Sequence, residues 1–91
     1  PQLRHALELM NGKVIHDKIG HPKGRIKQWL NKGTQNEKII TELYMLALSR
    51  MPTRKEREAI NDYLADKPTR EEGLADLMWA VMNMNEFLFQ H

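Results

Sequence analysis

Ninety-one residues, 41% hydrophobic and 29% charged with a formal charge of +2, describe one small domain (1–91) with a modest core. The composition is too apolar for a disordered chain, and no run approaches the roughly 18 apolar residues that a membrane span needs. The absence of cysteine excludes a disulfide framework, a thiol nucleophile, a thiolate metal site and covalent haem attachment.

Pro1 stands where a methionine would begin a complete gene product, so the chain reads as a processed protein or a piece excised from a longer one. Leu3, Ala6, Leu7 and Met10 fall on one helical face that ends at Asn11 and Gly12. Val14, Ile15 and Ile19 mark a short second segment closed by Gly20, and Ile26, Trp29 and Leu30 give a third helix from Pro22 to Lys32, with Gly33 as its stop.

The remaining helices share one starting signal. Thr34, Thr53 and Thr69 are each followed three residues later by Glu37, Glu56 and Glu72, the spacing of a capping box in which hydroxyl and carboxylate each satisfy an orphan backbone N–H. Pro52 and Pro68 precede two of these threonines and hold the approach extended. A broad stripe of Ile39, Ile40, Leu43, Tyr44, Leu46, Ala47 and Leu48 predicts a fourth helix over 35–50 as the most buried and central one. The fifth, over 54–66, has one solvated face; the sixth, over 70–83, carries Leu74, Leu77, Met78, Val81 and Met82. With no strand pattern and short connections, the fold expected is all-α, a compact bundle of five or six short helices.

Charge is unevenly placed: residues 13–32 hold six basic groups and one acid, residues 33–91 seven basic and ten acidic. Lys23, Arg25, Lys27 and Lys32 surround Trp29, a pattern that suits contact with nucleic-acid phosphates or an acidic partner. The competing reading makes Trp29 core and the basic groups its solvated back, and without a helix-turn-helix spacing nucleic acid ranks second.

Other chemistry is thinly supported. His5, His16, His21 and His91 lack the spacing of a metal site, and Ser49 has no histidine in register for a nucleophilic triad. Asp62 and Asp66, one turn apart, read as a solvated face. Met78, Met82 and Met84 read as core before they read as an adaptable docking surface. The sequence therefore implies no metal, no cofactor and no catalytic constellation. Its apolar end is the exception to the usual polar, frayed terminus. Phe87, Leu88 and Phe89 are expected to fold back and plug the bundle, with Asn83 and Glu86 steering them and Arg50 offering its guanidinium fork to Glu86 or the asparagine oxygens.

Two spaced motifs place the chain beside a known family. Leu43, Tyr44, Ala47, Leu48, Arg50, Pro52, Thr53 and Glu56 form one, and Asp76, Leu77, Ala80, Asn83, Glu86, Phe87 and Leu88 the other; a shorter "ALELMN" stretch, Ala6 to Asn11, precedes them. Together they resemble the C-terminal part of the planctomycete-type domain of unknown function 1553, found after cytochrome-c-like modules in long exported proteins. Met51 departs from the pattern, which often has a smaller residue or proline there.

The resemblance implies an extracytoplasmic location, periplasmic or secreted, and partners among upstream domains of the parent chain or another protein. It also implies a natural stop soon after Phe89. The function expected is a non-catalytic accessory or interaction domain, without membrane insertion and with weak homodimerisation if an apolar face is left wet. The alternatives are nucleic-acid binding through 13–32, or a part of a larger enzyme whose catalytic residues lie upstream.

Overall fold

Each helix begins and ends where the backbone has a specific reason to turn. The structure, a computed structural model, describes residues 2–11 and 23–84, and these are all-α. Among the described residues there are five helices: α1 (Leu3–Asn11), α2 (Lys23–Asn31), α3 (Asn36–Leu48), α4 (Arg54–Ala65) and α5 (Arg70–Met82). The segment expected at 14–19 and the tail beyond Met84 lie outside the described residues.

The three Thr-x-x-Glu signals are used in three different ways. Thr53 forms the full capping box: its hydroxyl accepts from the Glu56 N–H at 3.1 Å, and the Glu56 carboxylate accepts from the Thr53 N–H at 2.8 Å. Thr69 makes only the hydroxyl half, to the Glu72 N–H. Thr34 makes neither, and α3 starts one residue later, after Gln35, with no side-chain cap.

The reason lies in the preceding helix. Gly33 adopts a left-handed φ of +69°, the Gly33 N–H donates to the Leu30 carbonyl, and the Thr34 N–H donates to the Trp29 carbonyl. This is the Schellman arrangement; it takes the Thr34 N–H that a capping-box Glu37 would bind, and the Glu37 carboxylate is bonded by Arg57 instead.

The packing also corrects the expected centre of the bundle. α5, rather than α3, packs extensively against each of the other four helices. Gly73, Leu74, Asp76, Leu77, Met78, Ala80 and Val81 are buried around most of its circumference, whereas α3 leaves Met45 at 47% and Leu46 at 61% exposure. Close approach to α4 depends on Gly73, where a Cβ would sit 2.7 Å from Leu64 Cδ2 and 3.4 Å from Lys67 Cγ. Leu3, Ala6 and Leu7 of α1, Ile26 and Trp29 of α2, Ile39, Ile40, Leu43 and Tyr44 of α3 and Ile60 of α4 complete one core.

Leu77 is fully buried, so Leu77→Ala should lower the unfolding free energy by about 2–5 kcal/mol. Leu46→Ala should change it by no more than about 0.5 kcal/mol. Urea titrations followed by helical circular dichroism check both, and the reverse order of costs would restore α3 as the central helix.

Candidate functional site

The corner between α3 and α4 gathers five of the motif residues into one connected group. α3 ends at Ser49, held at φ +59° with its N–H on the Met45 carbonyl, and the chain then turns through Arg50, Met51 and Pro52 into the Thr53 cap. Arg50 sends Nη1 to Glu56 Oε1 and Nη2 to Glu56 Oε2, both at 2.9 Å, a bidentate fork made possible because the capping box already fixes the carboxylate. A further bond from Arg50 Nη1 to the Met51 carbonyl, also 2.9 Å, braces the turn. The guanidinium lies 5.3 Å from the centroid of the fully buried Tyr44 ring, so charge, turn and core are joined at one point.

Burial of the Glu56 carboxyl works to raise its pKa. The hydrogen bond from Arg50, then that from the Thr53 N–H, and the positive charge of Arg50 together outweigh it, holding the group below its ordinary 4.5.

The second cluster surrounds the one charged side chain buried among the described residues. Asp76, 1% exposed on α5, accepts from the Tyr63 hydroxyl at 2.8 Å, and Lys67 Nζ lies 3.5 Å from the same oxygen. Lys67 also sits 4.6 Å from the Tyr63 ring centroid, so phenol, ammonium and carboxylate form a compact triangle across the α4–α5 turn. Burial and the hydrogen bond to Asp76 push the Tyr63 hydroxyl well above its ordinary pKa of 10, so it acts as a fixed donor. Sequence reading singled out Asp76 but missed Tyr63 and Lys67; an acid interrupting the apolar run of α5 was the signal that a donor and a cation must face it.

The remaining candidates disperse. Trp29 is buried, and its indole N–H donates to Glu42 Oε1 at 2.7 Å, so the aromatic belongs to the core while Arg25, Lys27 and Lys32 are exposed; Lys23 opens α2, its side chain outside the described residues. His5 is exposed, and His16, His21 and His91 lie outside the described residues. Among the described residues no three His, Asp or Glu side chains converge to hold a metal. Asp62 and Asp66 are exposed along a shallow groove of about 180 Å³ between α1 and α4, shared with Arg4 and Glu8.

Of the methionines, Met78 and Met84 are core but Met82 is 40% exposed, which corrects its expected place on the buried face. Asn83 caps its own helix, donating from Nδ2 to the Trp79 carbonyl at 2.8 Å. Glu86, Phe87, Leu88 and Phe89 lie outside the described residues, and the predicted fork from Arg50 to Glu86 with them; the fork that is described closes on Glu56, six residues away.

Comparison with family models, with curated proteins and with solved structures returns no match to this chain. No helix among the described residues is long and apolar enough to cross a membrane.

Two substitutions test these clusters. Asp76→Ala removes the carboxylate that takes the Tyr63 hydroxyl and faces Lys67, and should cost about 2–3 kcal/mol in denaturant unfolding, against about 1 kcal/mol for Tyr63→Phe. For Glu56, the folded state binds the proton less readily than the unfolded chain does, so its contribution is complete above an unfolded pKa near 4.5 and is lost as pH falls through the lower folded value. Urea midpoints measured across that window should show the wild type losing its advantage over Glu56→Gln as pH falls, and a constant gap would contradict the assignment.

Proposed function

We propose that this chain is a non-catalytic interaction domain of a larger extracytoplasmic bacterial protein, docking on upstream domains of that protein or on another protein. The observation that carries the reading is the apolar corner left outside the fold, where Met45, Leu46 and Met51 are 47%, 61% and 53% exposed at the end of α3 and the turn that follows. Three large apolar side chains exposed within one short stretch of chain offer hydrocarbon for a partner to cover, the methionines adapt to its shape, and such patches mark protein interfaces.

The polar motif residues support the same reading from the other side. Arg50 and Glu56 hold each other, Thr53 caps α4, Asn83 caps α5 and Asp76 is closed in by Tyr63 and Lys67. A motif whose polar groups bind one another serves the scaffold, and recognition is left to the surface that the scaffold carries. The resemblance to the planctomycete-type family adds the exported, multidomain setting; the parent gene, read upstream of the codon for Pro1, should then encode a signal peptide and at least one further domain.

Freed of its partner, the corner should cause weak self-association. Sedimentation velocity over a concentration series should show the average mass rising with concentration, and Leu46→Lys/Met51→Lys should return the protein to a monomer with an unchanged melting curve. A wild type that stays monomeric at its solubility limit argues against a docking corner.

A further inference from the structure

We infer that the outer face of α2 binds the phosphate backbone of a nucleic acid. This surface is separate from the apolar corner, and the inference does not rest on the interaction reading above. Ile26, Trp29 and Leu30 turn one side of α2 into the core, and the Trp29 N–H bond to Glu42 fixes the helix against α3. At about 100° per residue, the opposite side presents Lys27 on one flank, Arg25 and Lys32 on the other, and Gln28 and Asn31 between them, all exposed. Gly24 has open space where a Cβ would stand, so the N-terminal end of this face is flat.

Two features choose the ligand. The charge is unmixed along the chain: no acidic residue occurs between Asp17 and Glu37, and Glu42, which meets α2 from α3, is occupied by the indole N–H of Trp29. An acidic peptide would also call for an apolar anchor, and none of the exposed large hydrophobic side chains among the described residues lies on α2. A face of cations and amide donors without an anchor fits a ligand held by repeated phosphate contacts, with Gln28 and Asn31 adding neutral donors to the same oxygens. Arg25, whose guanidinium is 6.0 Å from the Trp29 ring centroid, is steadied at the helix surface for this contact.

Fluorescence anisotropy of the 91-residue chain with a labelled DNA duplex of about 20 base pairs tests the inference. Three phosphate contacts imply an affinity that drops about 40-fold between about 50 and 200 mM salt. Arg25→Glu/Lys27→Glu/Lys32→Glu should abolish binding at low salt, whereas Lys38→Glu/Arg54→Glu/Lys55→Glu, with the same net charge, should keep it within about threefold. Lys27→Gln/Lys32→Gln leaves Trp29 and Glu42 untouched and should weaken binding with an unchanged melt, which keeps the test valid if the triple variant unfolds. No binding at low salt overturns the inference, and so does equal loss in the two triple variants. Polyglutamate competing as well as DNA at equal charge would overturn it in favour of an acidic protein partner.

Discussion

A carboxylate buried in the most enclosed helix is the constraint on which the rest of the structure depends. Asp76 lies among Leu74, Leu77, Met78, Ala80 and Val81, where an ionised group without partners would be far costlier than any single apolar contact is favourable. Its phenol donor comes from α4 and its cation from the turn between α4 and α5. The observed register of these two elements on α5 is the one that brings both groups to Asp76, and Gly73, one turn before it, leaves room for Leu64 and Lys67. Apolar packing alone would tolerate several rotations of a helix that is hydrophobic nearly all round. A buried charge that must meet a phenol and a cation favours the rotation that delivers both.

The other helix junctions are closed from the outside by arginine. Arg57 reaches from α4 to Glu37 Oε1 at 2.7 Å and Thr41 Oγ1 at 3.1 Å, tying α4 back along α3. Arg70, first residue of α5, donates to the Thr34 carbonyl and to Asn36 Oδ1, both at 2.8 Å, and so fastens α5 to the turn between α2 and α3. Exposed contacts of this kind contribute little stability one by one. Their geometric effect is larger: with Arg50 at the α3–α4 corner, each places a planar fork where two elements must keep a fixed angle.

Much of this was legible in the sequence, and the exceptions have physical causes. Helical period, proline positions and the Thr53 and Thr69 signals located α3, α4 and α5 to within a residue or two, because those signals act within one turn of chain. The same Thr-x-x-Glu spacing misled at Thr34, since the left-handed Gly33 before it had a prior use for the Thr34 N–H. The wide apolar stripe of 39–48 pointed to the wrong central helix. Small residues such as Gly73 and Ala80 let α5 be enclosed more completely than larger side chains let α3, and hydrophobicity counts hydrocarbon while ignoring clearance. At the motif corner, Arg50 was recognised as a fork, but its described partner is the nearby Glu56, already oriented by its own cap. Tyr63 and Lys67 could be found only by asking what a buried Asp76 requires, because no local pattern marks them.

This division between residues that build and residues that face outward bears on where function is to be sought. The described residues of the two spaced motifs are largely caps, forks and core contacts, and such residues recur wherever the same helix junctions must be made. Met51 illustrates the contrast. It departs from the motif, lies within the turn that Arg50 braces through the Met51 carbonyl, and yet directs an apolar side chain into solvent. A rigid turn presenting a side chain that the turn itself does not need is a sound place for recognition to vary without loss of fold. The basic face of α2 follows the same rule, being fixed from beneath by Trp29 and Glu42 while its outward residues carry no part of the packing.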